Sequence, residues 1–420
     1  MEYCQRCVYP ANARPGIILD EEGICSGCRL VESRPSIDWQ EREKWLIEIL
    51  EEHKVKQREK GNPYDCIIPV SGGKDSHFQT WLLRKRYGMN PLLVCYNHTF
   101  NTSLGLRNLS NMIEKLDCNM VRYTTAPGSA KRLARYMLQK VGDLTWHYHA
   151  GIMTFPIKAA CMYDVPLVVW GEEGFSELVG MHNQDDFVEF TKKKRQEHSM
   201  RGFEPEDLLN DPDCLLSPYD LAPFFYPTDE ELEKVKVRGI YLSNYINWDA
   251  HTQTELVIEQ LGFETAQERE RTFQIYGKLD DVHANGLHDY LKYLKFGYGR
   301  ATDDAATEIR QRRMTREEGI ELVGKHDHIR PRDMDIFLRS VEMSEQELLD
   351  LIEPQRDPSI WVKGESAHWR VKDSVVNHID DLGVEAARLP LKSFKPIIPT
   401  AEKVSRHCQQ LDEQTDYILL

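Results

Sequence analysis

The stretch CIIPVSGGKDS, residues 66–76, decides how this chain folds. Its first half is a short apolar run of the kind that forms a strand buried on both faces, and a helical pattern follows its second half directly. Two glycines let the backbone approach a ligand closely, and the start of the next helix offers unpaired N–H groups to phosphate oxygens. The sequence therefore predicts a phosphate-binding turn made of Ser71, Gly72, Gly73, Lys74, Asp75 and Ser76.

The side chains of this turn suit a nucleotide with its metal ion. The hydroxyl groups of Ser71 and Ser76 add hydrogen-bond donors, and Asp75 is positioned to help hold a phosphate-bound Mg²⁺. The Walker spacing of two glycines four residues apart before Lys-Ser/Thr is absent, which removes the support for a kinase-like or GTPase-like site.

Three further apolar runs follow this strand. PLLVCYN (91–97), NMVRYTT (119–125) and VPLVVW (165–170) alternate with helical patterns, which predicts an α/β fold with a doubly wound parallel sheet. Open sheets of this kind bind ligands at the carboxyl ends of their strands. Because Gly171, Glu172 and Glu173 directly follow the last run, we expect them to face the phosphate-binding turn.

The N-terminus carries two pairs of cysteines, Cys4, Cys7, Cys25 and Cys28. Two C-x₂-C knuckles separated by 17 residues fall within the zinc pattern, and four thiolates close a tetrahedron with no position left for water. The expected role of this metal is structural. An iron–sulfur cluster and two unmetallated pairs remain as alternatives.

Composition limits the classes of function. The formal net charge is −15, which disfavours a general nucleic-acid binder. No apolar run is long enough to span a membrane and the N-terminus lacks an apolar signal core, so we expect a cytoplasmic protein.

Changes in composition and hydrophobic pattern along the chain predict six segments. They are a Cys4 zinc module (1–35), a helical connector (36–62), an ATP-binding α/β domain (63–180), a mixed insertion (181–250), a mainly helical substrate and catalytic region (251–352) and a C-terminal tail of unknown role (353–420). A basic run, Lys192 to Arg195, lies in the insertion; a solvated face is the favoured interpretation and a site for an anionic substrate the alternative. His147 and His149 are two residues apart, which disfavours a metal pair and leaves packing or substrate contact.

The SGGKDS turn resembles the PP-loop of the ATP pyrophosphatases, which include asparagine, GMP and NAD synthetases and tRNA thiolases. This resemblance implies that ATP adenylates a substrate oxygen, that pyrophosphate leaves, and that a nucleophile then displaces AMP. It also implies contact of Glu172 or Glu173 with the nucleotide or Mg²⁺, and a place beside the adenine for Tyr96 and Asn97.

A closer resemblance joins the cysteine pairs, the SGGKDS turn, the VVWGEE strand end, and KFGYGRATDD (295–304) followed by TREEG (315–319). Together these look like the N-acetyl sugar amidotransferases of bacterial surface-glycan pathways, including lipopolysaccharide O-antigen and pseudaminic- or legionaminic-type sugars. The resemblance implies conversion of an acetamido group to an acetamidino group. It makes Lys295 and Arg300 candidates for stabilising charge on the α-phosphate.

The source of nitrogen is absent from the sequence. Position 2 is Glu rather than a processed N-terminal Cys, and no Gly-x-Cys-x-Gly elbow is present. The resemblance therefore implies a glutaminase partner and an ammonia-channelling barrel similar to the two halves of imidazole-glycerol-phosphate synthase. A tRNA-thiolating enzyme and a nonenzymatic ATP-binding scaffold remain as alternative functions.

Overall fold

A five-stranded parallel sheet organises the chain in a computed structural model that describes residues 1–365 and 368–381. The strands lie in the order β3-β2-β1-β4-β5. Their bounds are β1 (Cys66–Pro69), β2 (Pro91–Asn97), β3 (Asn119–Thr124), β4 (Leu167–Trp170) and β5 (Arg238–Tyr241). The first four strands are those predicted from the apolar runs. The fifth was not predicted, so the sheet extends beyond the range 63–180.

The helices alternate with these strands and continue after them. Those up to β4 are α1 (Ser26–Ser33), α2 (Trp39–Glu59), α3 (Lys74–Trp81), α4 (Ser103–Leu116), α5 (Pro127–Val141) and α6 (Trp146–Tyr163). Five short helices follow: α7 (Gly174–Val179), α8 (Lys192–Lys194), α9 (Pro205–Leu209), α10 (Pro218–Leu221) and α11 (Asp229–Val235). The remaining helices are α12 (Ala250–Leu261), α13 (Val282–Phe296), α14 (Arg300–Arg310), α15 (Arg316–His326), α16 (Met334–Ser340) and α17 (Glu345–Ile352).

Both faces of the sheet are buried, as a doubly wound fold requires. On β1, Ile68 points into a cluster with Leu46 of α2 and Leu116 of α4, whereas its neighbour Ile67 points into a cluster with Trp146 of α6. This alternation follows from the two-residue period of a strand, and it explains why the fully buried strands β1, β2 and β4 are rich in apolar residues. The predicted fold class is confirmed.

The N-terminal module packs against α14 and α15. Tyr9 and Val8 of the N-terminal module share a buried cluster with Ala305 of α14 and Ile320 of α15. Beyond α17, a short antiparallel hairpin joins β6 (Trp361–Lys363) and β7 (Trp369–Val371). Most of the predicted C-terminal tail, residues 382–420, lies outside the described residues. In the part of the chain that is described, no helix combines the length and apolar character that a membrane crossing requires.

Candidate active site

The topology brings two chain segments together at one edge of the sheet. Because β1 lies between β2 and β4, the strand order reverses at β1, and the carboxyl ends of β1 and β4 open into the same crevice. The turn 71–76 follows β1, and residues 171–173 follow β4. The predicted convergence of these segments is present in the structure.

The turn adopts the conformation that its glycines predict. Gly72 has a φ of +92°, and a Cβ atom there would lie 2.8 Å from the Cβ of Leu109. Gly73 is the N-cap of α3 and supplies no side-chain cap, so the first-turn N–H groups are left for an anion. The N–H of Ser71 donates to Ser76 Oγ at 2.9 Å, which assigns Ser76 a part in holding the turn closed.

Three ionisable groups meet above the turn. Lys74 Nζ lies 2.5 Å from Asp75 Oδ2. Burial by itself lowers the pKa of Lys74, but the charges of Asp75 and Glu172 outweigh it, and the pKa is raised. Burial, reinforced by the nearby Asp75 carboxylate, raises the pKa of Glu172 to about 7. The carboxylate oxygens of Asp75 and Glu172 form a donor set suited to Mg²⁺.

Glu173 has a different surrounding from Glu172. Its carboxylate caps α7 by accepting the Ser176 N–H at 2.7 Å, and it lies 2.9 Å from Lys194 Nζ. Burial would raise its pKa, but Lys194 and Ser176 hold the pKa below its usual value. Glu173 is thus a charged structural cap, and Glu172 is the carboxylate of the pair that faces Asp75.

Three cavities surround this point. The loop cavity, about 370 Å³, lies between the turn and α14 and is lined by Ser71, Lys74, Asp75, Glu172, Arg300 and Asp304. The sheet cavity, about 430 Å³, lies over the strand ends and is lined by Val94, Tyr96, Trp170, Glu172 and Tyr241. The basic cavity, about 510 Å³, is lined by Arg201, Lys278, Lys292, Lys295 and Arg300, with fewer carboxylates, among them Asp143 and Asp289.

The residues predicted to flank the adenine separate in the structure. Tyr96 lines the sheet cavity, and its hydroxyl hydrogen-bonds to Thr125 Oγ1 at 2.7 Å. Asn97 is buried and binds the chain itself: its Nδ2 donates to Thr124 Oγ1 and its Oδ1 accepts the Thr99 N–H. Asn97 therefore shapes the strand end, whereas Tyr96 presents a ring to the cavity.

The basic run has a mixed outcome. Lys192 and Lys193 are exposed, as a solvated face requires. Lys194 and Arg195 instead line the sheet cavity, where Arg195 is fully buried and pairs with Glu204 at 2.6 Å. The favoured interpretation of a solvated face is wrong for these two residues, because the short helix α8 turns their side chains towards the strand ends.

The two candidate cations of 295–304 also differ in position. Arg300 lines both the loop cavity and the basic cavity, and its guanidinium pairs with Asp289 at 2.7 Å. Lys295 lines only the basic cavity, where its Nζ donates to the carbonyl oxygen of Gly142 at 2.7 Å. The structure therefore brings Arg300, but not Lys295, to the cavity that contains the phosphate-binding turn.

Sequence reasoning missed the residue at the junction of the three cavities. Lys278 lines all of them, and it has a φ of +53°, a backbone conformation that non-glycine residues adopt rarely and mainly where function or packing requires it. The exposed part of the Lys278 side chain faces these cavities. Partial removal of its amino group from solvent, together with the charge of the nearby Arg300, lowers the pKa of Lys278 to about 8. No local pattern marks Lys278, since only the tertiary fold brings it to this junction.

The four N-terminal cysteines converge. All are buried, and their Sγ atoms lie within 4.8 Å of one another. The Sγ–Sγ distances are 3.9 Å for Cys4 and Cys28 and 3.7 Å for Cys7 and Cys25. A tetrahedral ion with metal–sulfur bonds of about 2.3 Å would space its thiolates by about 3.8 Å, so the donor set fits a single ion.

The cysteine cluster is linked to the helix that carries Arg300. Arg310, the last residue of α14, is buried and directs Nη2 towards Cys25 Sγ at 3.5 Å. At the other end of the same helix, the Tyr9 hydroxyl donates to Asp303 Oδ1 at 2.5 Å. The N-terminal module therefore supports α14 from both ends.

A curated protein matches part of this chain. The chain is 26% identical over 118 residues to an uncharacterised protein of Methanocaldococcus jannaschii, a match that covers 28% of this chain. The chain spans 41% of the length of that relative.

Solved structures with similar folds have low sequence identity. NMN synthetase from Francisella tularensis has a TM-score of 0.27 and 14% identity, covering 54% of this chain and 92% of its own. NH₃-dependent NAD synthetase from Campylobacter jejuni has a TM-score of 0.26 and 14% identity, covering 48% and 96%. The U34-tRNA thiolase NcsA from Methanococcus maripaludis, with its 4Fe-4S cluster, has a TM-score of 0.25 and 14% identity, covering 77% and 83%. The fold assignment rests on the strand order itself.

The family match lies in the helical region that contributes Lys278 and Arg300. Residues 270–375 match the family model of the LPS biosynthesis protein WbpG-like, C-terminal domain. This segment includes α13 and α14, which carry the KFGYGRATDD motif quoted from the sequence. This match supports the family resemblance predicted from the sequence motifs: residues 270–375 are similar to the C-terminal domain of the WbpG-like lipopolysaccharide biosynthesis proteins.

Proposed function

We propose that this protein is an ATP-dependent amidotransferase of bacterial surface-glycan biosynthesis. It converts the acetamido group of an N-acetyl sugar, nucleotide-linked or nonulosonic, to an acetamidino group, and it forms AMP and pyrophosphate. The observation that carries this proposal is that Lys278 and Arg300 line both the loop cavity and the basic cavity. The basic cavity is large enough for a second substrate.

The cavities divide the substrates in a consistent way. The adenosine fits the sheet cavity, where Tyr96, Trp170 and Tyr241 offer aromatic surface. The β- and γ-phosphates lie on the N–H groups that begin α3, which leaves the α-phosphorus facing the junction. The acceptor sugar occupies the basic cavity, with its acetamido oxygen directed at the α-phosphorus.

Charge develops at the junction as the amide oxygen attacks. Arg300 is held by Asp289 and Asp303 on one side and is available from both cavities, and Lys278 contributes a second cation. Cations fixed in place before the reaction stabilise the transition state without further rearrangement. Lys295 acts from the acceptor side, where it holds the turn at Gly142.

Asp75 and Glu172 are the residues that would hold Mg²⁺. Burial and the Asp75 carboxylate raise the pKa of Glu172, and a divalent ion bound by both carboxylates would offset this repulsion. When bound, Mg²⁺ neutralises charge on the phosphates and assists the departure of pyrophosphate.

Cys4, Cys7, Cys25 and Cys28 would hold a structural Zn²⁺. The spacing of their sulfur atoms fits one ion. The backbone N–H groups of Arg6 and Cys25 donate to Cys4 Sγ and would stabilise its thiolate form. Metal analysis of the purified protein should find one zinc ion per chain. Iron together with sulfide would instead identify the site as an iron–sulfur cluster.

The distribution of cysteines argues against sulfur transfer. Among the described residues, no cysteine lines the loop, sheet or basic cavity. Of the remaining cysteines, Cys408 lies outside the described residues. A thiolase that carries sulfur on one of its own cysteines would need that thiol near the adenylated carbon, and none of the described cysteines lies there.

The decisive experiment identifies the products. The purified chain is incubated with ATP, Mg²⁺, ammonium chloride and candidate nucleotide sugars or nonulosonic acids. Replacing oxygen by NH lowers the sugar mass by about one unit, and AMP and pyrophosphate should form in equal amount. ADP as the main substrate-dependent product would contradict adenylation, and nucleotide binding without pyrophosphate release would indicate a scaffold.

The nitrogen source completes the proposal. Since the sequence contains no recognisable glutaminase motif, we infer that ammonia arrives from a glutaminase through a barrel-shaped partner. The isolated chain should therefore use high ammonium, best at alkaline pH where NH₃ is more abundant, and should use glutamine poorly. Adding both partners should restore glutamine use. Robust glutamine-dependent activity from the isolated chain would contradict the need for a partner.

A further inference from the structure

A buried carboxylate, a hydroxyl and an imidazole form a chain along the wall of the basic cavity. Asp143 follows the C-cap of α5, Thr145 precedes α6, and His288 lies on α13. Asp143 Oδ1 accepts both the N–H and the hydroxyl of Thr145, at 2.8 and 2.7 Å. Thr145 Oγ1 lies 2.9 Å from His288 Nδ1.

This geometry determines the tautomer of His288. Burial raises the pKa of Asp143, but His288 and Arg201 outweigh it and hold the pKa well below its usual value, so Asp143 accepts hydrogen bonds only. The single hydroxyl proton of Thr145 is therefore directed to Asp143, and Oγ1 must accept from His288 Nδ1–H. The lone pair of a neutral His288 then lies on Nε2, the nitrogen that makes no contact with Thr145.

Thr145 is committed to this arrangement rather than to its helix. It occupies the N-cap position of α6, where a threonine normally accepts a hydrogen bond from the first turn. Its side chain makes no such bond. Two residues of the loop between α5 and α6 thus orient one imidazole of α13 at a cavity wall, as an Asp–His pair does in hydrolases, here with a hydroxyl interposed.

We propose that His288 is the general base of the ammonia step, with Asp143 and Thr145 as its positioning residues. This inference rests on the proposed function, because it assumes that the acceptor occupies the basic cavity that His288 lines.

The step balances as follows. Ammonia adds to the carbon of the adenylated amide, forming a C–N bond while the C=N electron pair moves to the sugar nitrogen. His288 Nε2 takes one proton from the new ammonium centre. The freed nitrogen lone pair forms a C=N bond as the C–O bond breaks, and AMP leaves with that bonding pair. The product is an amidinium, and the proton on His288 passes to solvent.

Charged and titratable groups surround His288 in this cavity. Asp143 Oδ1 lies 3.7 Å from His288 Nδ1 and stabilises the imidazolium, and Asp289 is a second nearby carboxylate. His149, with its ring 5.8 Å away, stays neutral because burial lowers its pKa to about 3. The cations that also face this cavity are Arg14, Arg201, Lys278, Lys292, Lys295 and Arg300.

The first test separates the two half-reactions in His288→Gln, using the acceptor identified by mass spectrometry. Exchange of labelled pyrophosphate into ATP, measured without ammonia, should stay within about twofold of the wild type. Amidine formation, measured at a fixed concentration of free NH₃, should fall by about 10²–10⁴-fold. Equal loss of both rates, or amidine formation within threefold of the wild type, would overturn the role of His288.

The second test uses Thr145→Val with Thr145→Ser as its matched control. The serine variant keeps the hydroxyl and should retain amidine formation, whereas the valine variant should lose about tenfold or more. Nitrogen-15 NMR of labelled histidine should show the Nδ1–H tautomer of His288 in the wild type and the serine variant, and its loss in the valine variant. An Nε2–H tautomer in the wild type would overturn the inference without reference to activity. A wild type that makes no amidine would instead overturn the proposed function.

Discussion

Asp75 and Lys74 show why a residue at the helix start has a predictable role. The Asp75 side chain is about one-third exposed, pairs with Lys74 and lines the loop cavity together with Glu172. We expect Asp75→Asn to lower pyrophosphate release on the order of 100-fold through loss of Mg²⁺, with the fold intact. Asp117→Asn is the matched control, because Asp117 is exposed, lies outside the cavities and tolerates asparagine at its φ of +51°. An unfolded circular dichroism spectrum for Asp75→Asn would instead assign Asp75 a structural role.

Glu172 predicts a pH dependence of stability. Its folded pKa of about 7 lies above the ordinary value of about 4.3, so between these pH values the folded state holds a proton that the unfolded state has released. The free energy of unfolding therefore falls as the pH rises through this window and levels off above it. Glu172→Gln removes this loss, so its stability advantage over the wild type should grow between pH 4 and 7.

Urea unfolding without Mg²⁺ at several pH values measures this effect. Glu321→Gln, an exposed change on α15, should show no such trend. Added Mg²⁺ should raise the free energy of unfolding of the wild type above pH 7 and should not raise that of Glu172→Gln. A difference between Glu172→Gln and the wild type that does not vary with pH would contradict the assignment.

Among individual residues, the sequence predicted those whose chemical role is indicated by a short local motif. The turn glycines, Asp75 and the four cysteines belong to spacings that are short and specific. Lys278, Asp304 and His288 were missed because their partners are distant along the chain: Thr145, for example, is 143 residues from His288. The role predicted for Lys295 stays a prediction, and its place in the basic cavity could not be read from the sequence because only the tertiary fold decides which cavity a cation on α13 enters.

The turn between β1 and α3 offers a test at the scale of the element. A Cβ at Gly72 would lie 2.8 Å from Leu109 Cβ and 3.0 Å from its Cα, and the φ of +92° is unfavourable for alanine. Gly88, before β2, also has a positive φ, +63°, but open space around it. Gly88→Ala should cost about 1 kcal/mol of unfolding free energy, and Gly72→Ala about 2–5 kcal/mol because strain and overpacking add. Equal costs in urea unfolding would show that the contact with Leu109 is easily relieved.

The elements that the sequence did not predict share one cause. α6 is apolar on nearly all sides and contains Gly151 and Pro156, so it lacks the amphipathic period that marks a surface helix. β5 has only four residues, RGIY, and pairs with β4 as an edge strand. Both elements are defined by tertiary burial rather than by local pattern, whereas β1 to β4 carry dense runs of strand-forming residues.

Polar contacts join the N-terminal module to α15 and to the segment that follows β7. Met1 pairs with Asp373 at 2.7 Å, and Arg316 of α15 directs its guanidinium to the carbonyl oxygens of Cys4 and Cys7. The N-terminal module thus packs on the helices that line the loop cavity. A metal ion in the cysteine cluster would therefore act on the active site at a distance, through the support that α14 receives from Arg310 and Tyr9.

This arrangement predicts that loss of the metal impairs catalysis as well as stability. Cys25→Ser removes one thiolate and the sulfur contact of Arg310, so α14 loses its anchor at one end. We expect loss of bound metal, a melting temperature lower by on the order of 10 °C, and reduced pyrophosphate release even below the new melting temperature, because Arg300 lies on the same helix. Cys161→Ser, on α6 and half-buried, is the matched control and should keep metal, stability and activity. If Cys25→Ser lost its metal but retained full pyrophosphate release at a temperature where it stays folded, the module would stabilise only itself, and the proposed support of α14 would be wrong.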